Sequence, residues 1–142
     1  MMATRFQLEV VTPDRTVFSG EVVSLVAPAA AGYLGVLANH APLLTGLGLG
    51  EARATDAEGR DLHFAVSGGF LQVADNHAIM LADATERADE IDIARAEAAR
   101  RRAEALRAER PRSDATFAVA EAALARAVNR LRIAREHGGA PE

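Results

Sequence analysis

The sequence contains no cysteine, no tryptophan and no lysine in its 142 residues. The absence of cysteine excludes disulfides, thiolate catalysis and cysteine-ligated metal sites. Aromatic residues make up only 4% of the chain and the formal net charge is −4, so we expect neither a base-stacking platform nor a basic surface for nucleic acid. The four histidines lie far apart without the spacing of paired metal ligands, and we therefore expect no metal site.

All sixteen basic residues are arginine. Codon bias is the plainer explanation of this usage. Bidentate recognition of carboxylate or phosphate is the functional explanation, because a planar guanidinium group does this better than an ammonium group. The sequence alone leaves both explanations open.

Residues 22–50 carry no charged side chain, and this stretch is long enough to cross a bilayer. Two prolines and five glycines within it would break a membrane helix repeatedly, and their density favours short buried strands instead. The first ten residues lack the apolar stretch of a signal peptide, so we expect a protein of the cytosolic side.

The composition of the chain changes near residue 88. Residues 1–87 contain most of the β-branched and aromatic residues and carry a net charge of −5. Residues 88–137 contain no glycine, are rich in alanine, glutamate and arginine, and carry a net charge of +2. This change predicts a β module over residues 1–87 and a helical module over residues 88–142.

The β module shows the period of half-buried strands. Apolar and polar residues alternate in residues 6–10 and 62–66, and Asp75-Asn76 is a typical turn between two strands. The run 78–82 lacks alternation and is expected to be buried on both faces. Many short runs separated by turn residues predict a sandwich or flattened barrel of roughly eight to ten strands.

In the helical module the apolar spacing becomes that of a helix. The two predicted apolar stripes are Ile91, Ala94, Ala98 and Ala105 in the first helix, and Phe117, Ala120, Leu124, Val128 and Leu131 in the second. The first helix ends near Pro111, Ser113 or Asp114 caps the second, and Gly138-Gly139 ends it. The short link between the helices predicts an antiparallel hairpin.

The seam of this hairpin is expected to be weak, because alanine methyl groups bury little area and burial contributes roughly 25 cal/mol per Å2. A weakly held hairpin can rearrange when a ligand or a partner shifts the balance between its states. A hairpin that stays permanently docked is the alternative.

Several segments resemble those of a known family. Residues 32–45 (GYLGVLANHAPLLT) resemble the G-x-x-G-x-x-x-x-H-A-P-L-L-T stretch of the epsilon subunit of F-type ATP synthase, and residues 66–73 (VSGGFLQV) resemble its S-G-G segment. Residues 81–83 (LAD) match the segment that follows. The resemblance runs from Phe6 to Arg135, and it implies a ten-stranded β-sandwich followed by a two-helix hairpin.

The resemblance implies a non-catalytic subunit of the proton-translocating ATP synthase. In this family the sandwich binds the gamma subunit and the ring of c subunits, so that torque passes from the ring to the stalk. The loop Ala29–His40 matches the part that meets the c ring, which makes Ala31, Tyr33, His40 and Pro42 candidates for the interface with the ring or gamma. At Ala31 and Tyr33 relatives commonly have polar or acidic residues.

The resemblance assigns regulation to the hairpin. Residues 91–96 (IDIARA) match the [IL]-D-x-x-R-A motif through which some bacterial members bind ATP. Matching by position gives these candidate ATP contacts: Glu86, Ile91, Asp92, Arg95, Ala96, Arg102, Arg126 and Arg130. We expect Asp92 and Arg95 to share a helix face, and Arg126 and Arg130 to lie on the opposing helix, so that guanidinium groups converge on the phosphates. A solvated charged face is the alternative.

On this interpretation the chain couples proton flow to ATP synthesis, and its arginine-rich hairpin inhibits ATP hydrolysis at the beta subunits of the catalytic head. It requires no cofactor, and ATP is its candidate regulatory ligand. We expect it at the cytoplasmic face of the bacterial plasma membrane, as a peripheral protein that meets the membrane only through the complex.

Two rival classes remain as alternatives. One is a free-standing nucleotide-sensing binding protein that uses the hairpin alone. The other is a small hydrolase using His40, which is disfavoured because no serine, cysteine or carboxylate lies near it in a recognisable arrangement. Residues 46–50 (GLGLG) lack the Lys-Ser/Thr pair of a phosphate-binding loop and open no helix.

Overall fold

The computed structural model describes residues 4–138, and the chain divides into the units Met1–Arg87 and Ala88–Glu142. The strands of the first unit are β1 (Phe6–Val11), β2 (Thr16–Ala29), β3 (Gly32–Leu37), β4 (Leu43–Asp56), β5 (Asp61–Ala74) and β6 (His77–Arg87). In the second unit a 3-10 turn (Ala88–Glu90) precedes the helices α1 (Ile93–Ala108) and α2 (Ala115–His137). The predicted order, a β module followed by a helical hairpin, is confirmed.

The sheet of the first unit closes on itself through β1. This strand pairs antiparallel with β2 and parallel with β6, so that β1, β6, β5, β4 and β2 form a barrel-like sheet, which β3 extends beyond β2. At the parallel pairing, His77 Nε2 lies 2.7 Å from Glu9 Oε2, and the two residues are 68 positions apart in the sequence. Alternate side chains of β1 are buried, as the spacing in residues 6–10 predicts. The largest fully buried side chains of the core are Phe64, Leu8, Leu25, Leu71 and Met80.

The residues from 4 to 138 contain six strands and not the ten that were expected. Three of the strands, β2, β4 and β5, are each 14 residues long and continue where breaks were expected. Residues 46–50, with glycine at alternate positions, lie inside β4. Register shifts between Val22 and Ser24, and between Val26 and Ala29, let β2 change its pairing without ending. Long strands thus replace several short ones.

Two consecutive glycines interrupt the ladder between β5 and β6. Gly68 and Gly69 have φ angles of +72° and +116°. A Cβ atom at Gly69 would lie 2.1 Å from the carbonyl oxygen of Leu81, and one at Gly68 would lie 2.5 Å from a carboxylate oxygen of Asp83. Only glycine fits both this backbone conformation and the space available, which explains the S-G-G segment structurally.

The prediction that residues 78–82 are buried on both faces is wrong. Ala78, Met80 and Ala82 point into the core, whereas Leu81 is 49% exposed. Apolar side chains on both faces of this strand hide its alternation in the sequence. β6 therefore presents an apolar side chain outward.

Both helices begin at an aspartate cap. Asp92 caps α1, and Asp114 caps α2 by accepting a hydrogen bond from the Thr116 backbone N–H at 2.8 Å. That hydrogen bond holds the pKa of the Asp114 carboxyl below its ordinary value. Gly138 ends α2 in the left-handed conformation with a φ of +83°, as predicted, and Gly139 lies outside the described residues.

The predicted apolar stripe of α1 is wrong. The helix buries Ala96 and Ala103, whereas Ala94 and Ala105 are exposed. Ile91 is buried as expected, but it precedes the helix. Alanine occupies so many positions of α1 that stripes on different faces look alike in the sequence.

The stripe of α2 is confirmed in part. Ala120 and Leu131 are buried, but Val128 is 48% exposed, and the seam continues instead through Ala127 and Ala134. The aliphatic residues of α2 make its buried face easier to recognise than that of α1. Neither of the two helices is long and apolar enough to cross a membrane.

Candidate functional site

The aspartate of the IDIARA motif caps α1 and does not lie on its face. Asp92 precedes the first helical residue, and its Oδ1 accepts a hydrogen bond from the Arg95 backbone N–H at 3.0 Å. The two residues therefore meet through the main chain of Arg95, not as two side chains on one helix face. Loss of an aspartate N-cap costs about 1 kcal/mol of helix stability, so Asp92 has a structural role independent of any ligand.

Two other residues of the motif are buried. Ile91 and Ala96 are both 0% exposed. A ligand arriving at the start of α1 would therefore reach neither residue directly. Glu86 lies in β6, so it belongs to the first unit, whereas the other seven candidates belong to the second.

Four arginines share one edge of the hairpin. Arg95, Arg102, Arg126 and Arg130 each directly precede a buried residue of the seam between α1 and α2. Successive residues of a helix are rotated by about 100°, so each arginine is rotated away from the seam in the same sense. We call this surface the arginine edge. The structure brings the arginine candidates of both helices to it.

The opposite edge contains residues that directly follow the seam. Glu97 follows Ala96 and Arg135 follows Ala134, and Arg135 Nη2 donates a hydrogen bond to Glu97 Oε1 at 2.5 Å. This contact shows that the helices are antiparallel and fixes their relative register. Five positions further along α1 is Arg102, and five positions earlier in α2 is Arg130. These two arginines are therefore level with each other.

Glu97 is the centre of an ionic cluster. Arg100 donates to Glu97 Oε2 from Nη2 at 2.7 Å and from Nε at 3.2 Å, and it also pairs with Glu104. Hydrogen bonds from Arg100, and then from Arg135, hold the pKa of the Glu97 carboxyl below its ordinary value. We call Glu97, Arg100, Glu104 and Arg135 the Glu97 cluster. It joins α1 to α2 on the edge opposite the arginine edge.

We expect Glu97→Gln to destabilise the hairpin, because a neutral amide loses charge-assisted hydrogen bonds to two guanidinium groups. Thermal unfolding of the full chain, followed by the helical signal in circular dichroism, should show a lower midpoint than the wild type. Glu121→Gln, at an exposed glutamate of α2, is the matched control and should leave the midpoint unchanged. Equal shifts in the two variants would assign the effect to net charge and not to the cluster.

The same cluster predicts a dependence on pH. Because the pKa of Glu97 is lowered in the folded hairpin, its contribution is fully present above the ordinary carboxyl pKa. The contribution is lost as the pH falls through the lowered value. The wild-type midpoint should therefore decrease more on acidification than that of Glu97→Gln, and parallel curves would contradict this assignment.

The segment Ala29–His40, expected to be a loop, is mostly a strand. β3 pairs antiparallel with β2 and continues the sheet. Tyr33 on β3 is 65% exposed, and its Oη accepts a hydrogen bond from the Glu51 backbone N–H at 3.4 Å. Ala31 and Pro42 are exposed on either side of β3. The interface candidates thus lie on β3 or close to its ends.

The ring of His40 contacts main chain. Its Nδ1 lies 2.7 Å from the carbonyl oxygen of Ala41, and its backbone N–H donates to the carbonyl oxygen of Leu37 at 3.2 Å. Neither partner is a nucleophile or a general acid. The contacts of His40 therefore give the hydrolase hypothesis no support.

Three exposed apolar side chains lie together on neighbouring strands. Leu44 is 70% exposed, Phe70 57% and Leu81 49%. Phe70 pairs with Leu81 on one side and with Gly46 on the other, two residues from Leu44. We call Leu44, Phe70 and Leu81 the β4–β6 patch. Contiguous apolar surface of this kind is typical of a protein-interaction site.

Sequence reasoning did not find the Glu97 cluster or the β4–β6 patch. The spacing of Glu97, Arg100 and Glu104 is visible in the sequence, but their link to Arg135 depends on the register of the hairpin. Residues of the β4–β6 patch look like core residues until the faces of the strands are known.

Two family models match the chain in sequence order. Residues 5–88 match the β-sandwich domain of the ATP synthase delta/epsilon chain, and residues 89–135 match its long α-helix domain. The ATP synthase epsilon chain of Desulforamulus reducens is 45% identical over 133 residues, which are 94% of this chain and 99% of that one. The epsilon chain of Pelotomaculum thermopropionicum is 58% identical over 98 residues, covering 69% and 72%.

A solved structure has the same fold. A chain in the cryo-EM structure of the Euglena gracilis mitochondrial ATP synthase superimposes with a TM-score of 0.76 at 22% identity, covering 96% of this chain and 84% of that one. A β-sandwich domain followed by a helical domain is the arrangement that the two family models describe. This chain belongs to the ATP synthase delta/epsilon family. The alternative of a free-standing nucleotide-sensing protein gains no support from these comparisons.

Proposed function

We propose that this chain is the epsilon subunit of an F-type ATP synthase, a non-catalytic component of the central stalk that couples proton flow to ATP synthesis. The observation that carries the proposal is the match of both halves, in order, to the two domains of this family. The near-complete coverage of the Desulforamulus reducens epsilon chain supports it. On this proposal the chain lies peripherally at the cytoplasmic face of the plasma membrane and has no nucleic-acid partner.

The first unit transmits torque. The gamma subunit covers the β4–β6 patch, because that patch is apolar, exposed and carried by three paired strands. The c ring and gamma meet the segment that contains Ala31, Tyr33, His40 and Pro42, which is held in shape by β3. A rigid sheet suits this role, since a torque must pass through the unit without unfolding it.

A fragment ending at Arg87 should fold and bind gamma. Its core is formed by residues of the first unit, so removal of the helices leaves that core intact. We expect cooperative denaturant unfolding of the fragment and its co-purification with gamma. Phe70→Asp should abolish the co-purification while the fragment stays folded, because it places a charge in the β4–β6 patch.

The control for this variant is Leu49→Asp, which changes an exposed leucine outside the β4–β6 patch. Leu49→Asp should bind gamma as the unchanged fragment does. Failure of the unchanged fragment to bind gamma would contradict the role given to the first unit. Normal binding by Phe70→Asp would move the gamma interface away from the patch.

The second unit regulates ATP hydrolysis. When extended, its arginine-rich helices reach acidic segments of the beta subunits in the catalytic head and inhibit hydrolysis, since arginine pairs well with carboxylates. The buried seam residues of α1 are the alanines Ala96 and Ala103, so opening the hairpin exposes little apolar surface from that helix. ATP held on the arginine edge would stabilise the folded hairpin, because it bridges both helices. No cofactor is required.

Single arginine-to-alanine changes on the arginine edge should weaken ATP binding. Arg95→Ala, Arg102→Ala and Arg126→Ala each remove a charge-assisted contact to phosphate, so we expect a loss of roughly tenfold or more in affinity. Isothermal titration calorimetry of the full chain measures this, with GTP as the nucleotide control. Arg101→Ala is the matched control, because Arg101 is exposed but does not belong to the arginine edge.

Equal losses at Arg101 and Arg102 would indicate diffuse attraction to a basic helix and not a site. Asp92 needs a separate design, because its change also removes the cap of α1. Asp92→Asn keeps a good cap and removes the charge, whereas Asp92→Ala removes both. If only Asp92→Ala weakens binding, the aspartate acts through helix stability.

A further inference from the structure

Asn76, in the turn between β5 and β6, has two structural roles: its backbone forms part of the turn, and its side chain bonds to other parts of the chain. Asp75 and Asn76 have φ angles of +52° and +58°, the conformation of a tight hairpin turn with two left-handed residues. This backbone conformation accounts for the choice of an aspartate and an asparagine at the turn. It does not account for the direction taken by the side chain of Asn76.

The side chain of Asn76 joins two distant parts of the chain. Its Oδ1 accepts a hydrogen bond from the Asn39 backbone N–H at 2.7 Å, across 37 positions of sequence. Its Nδ2 donates to the carbonyl oxygen of Arg5 at 2.8 Å, across 71 positions. Its own carbonyl oxygen accepts from the Gln7 backbone N–H at 3.2 Å. One half-buried residue thus connects the start of β1, the β5–β6 turn and the connection between β3 and β4.

The connection held by Asn76 contains two of the interface candidates. Residues 38–42 join β3 to β4, and they include His40 and Pro42. Asn39 itself has a φ of +63°, a conformation that an asparagine tolerates but that most residues avoid. The hydrogen bonds of His40 are local, to Leu37 and Ala41. The bond from Asn76 ties this connection to a different part of the sheet.

We propose that Asn76 is a positioning residue, which fixes the connection of residues 38–42. His40 and Pro42 are thereby held in one arrangement for contact with gamma and the c ring. The proposal rests on the function proposed above for this surface. A connection that is ordered before binding loses less conformational entropy on association. The affinity of the chain for gamma and the c ring is correspondingly higher. The Asn39 N–H, held at 2.7 Å, is the point at which Asn76 exerts this effect.

Three variants of the full chain separate the contributions of the turn. Asn76→Gly keeps the left-handed backbone and removes both side-chain hydrogen bonds. Asn76→Asp keeps an oxygen that accepts the Asn39 N–H and removes the Nδ2 donor to Arg5. Asp75→Gly changes the same turn without touching either bond. Denaturant unfolding of each variant identifies any general loss of stability.

Amide hydrogen exchange in the full chain measures the order of the connection. In Asn76→Gly we expect the Asn39 amide to exchange at least tenfold faster than in the wild type, with the protection of the core strands unchanged. In Asn76→Asp and Asp75→Gly the Asn39 amide should stay protected. Unchanged exchange of Asn39 in Asn76→Gly would overturn the proposal.

Binding to ATP synthase from which the epsilon subunit has been removed, with gamma and the c ring in place, measures the consequence. Asn76→Gly should bind several-fold more weakly, Asn76→Asp should recover most of the wild-type affinity, and Asp75→Gly should bind normally. If Asn76→Asp binds as weakly as Asn76→Gly, the bond to Asn39 is not the one that matters, and the proposal is wrong.

A double variant, His40→Ala with Pro42→Ala, separates this proposal from the interface on which it rests. If the double variant binds like the wild type, the proposed interface itself fails. If the double variant binds weakly while Asn76→Gly binds normally, the interface stands and only the role of Asn76 fails.

Discussion

Removal of residues 88–142 should raise ATP hydrolysis by the reconstituted complex and leave assembly of the remaining chain intact. The core of the first unit contains no residue of the helices among those described, so their loss leaves the sheet and the β4–β6 patch in place. The arginines that we propose as inhibitory are lost together. Steady-state hydrolysis by the complex, compared with and without residues 88–142, measures the effect.

The ATP concentration provides the internal control for this experiment. A ligand that binds only the folded hairpin stabilises it by about 2.7 kcal/mol at a hundredfold excess over its dissociation constant. Hydrolysis with the full chain should therefore approach that of the truncated chain as ATP increases, and Arg126→Ala should need more ATP for the same relief. Identical hydrolysis by the two complexes at every ATP concentration would remove the inhibitory role and leave torque transmission alone.

Gly69→Ala should be the most destabilising single substitution in the sheet. A methyl group there would lie 2.1 Å from the Leu81 carbonyl oxygen, and the φ of +116° is strained for any residue with a Cβ. The added atom meets main chain and not a flexible side chain, so the β5–β6 ladder must separate. We expect a loss of more than about 3 kcal/mol in the free energy of unfolding, measured by urea denaturation of the full chain.

The matched control is Gly35→Ala, at a glycine of the other family segment. Apart from Gly35 itself and its two chain neighbours, no residue has a heavy atom within 4 Å of a Cβ at this position, and the φ of Gly35 is not in the left-handed region. Gly35→Ala should therefore change the free energy of unfolding by less than about 1 kcal/mol. A similar loss in both variants would show that the cost comes from the sequence context of glycine and not from the contact with Leu81.

Features of the fold that neighbouring residues determine can be predicted from the sequence, whereas features that depend on contacts between distant residues cannot. The alternation in residues 6–10, the turn at Asp75-Asn76 and the cap of α2 are set by neighbouring residues. The first two are confirmed, and of the two predicted caps, Ser113 and Asp114, the structure has Asp114. The number of strands depends on whether a glycine ends its strand or allows the strand to continue close to a neighbouring strand. The glycines of residues 46–50 allow β4 to continue, and the sequence alone does not distinguish the two cases.

The candidate site shows the same limit. The IDIARA motif lies at the start of α1, where Asp92 is the cap and does not share a helix face with Arg95 as expected. The seam of α1 could not be predicted, because an alanine-rich helix carries little contrast between its faces. The arginine edge and the Glu97 cluster lie on opposite edges of the hairpin, and that separation follows from the contact of Glu97 with Arg135.

The parallel pairing of β1 with β6 has a consequence for synthesis of the chain. Glu9 and His77 meet across 68 positions, so the strand made first completes its pairing only when the last strand of its unit has left the ribosome. Contacts this distant in sequence slow folding, because a long loop must close before they form. The helical hairpin forms from two helices that are adjacent in the sequence, and these are synthesised after the sheet. During translation the helical hairpin therefore emerges behind a sheet that can already close.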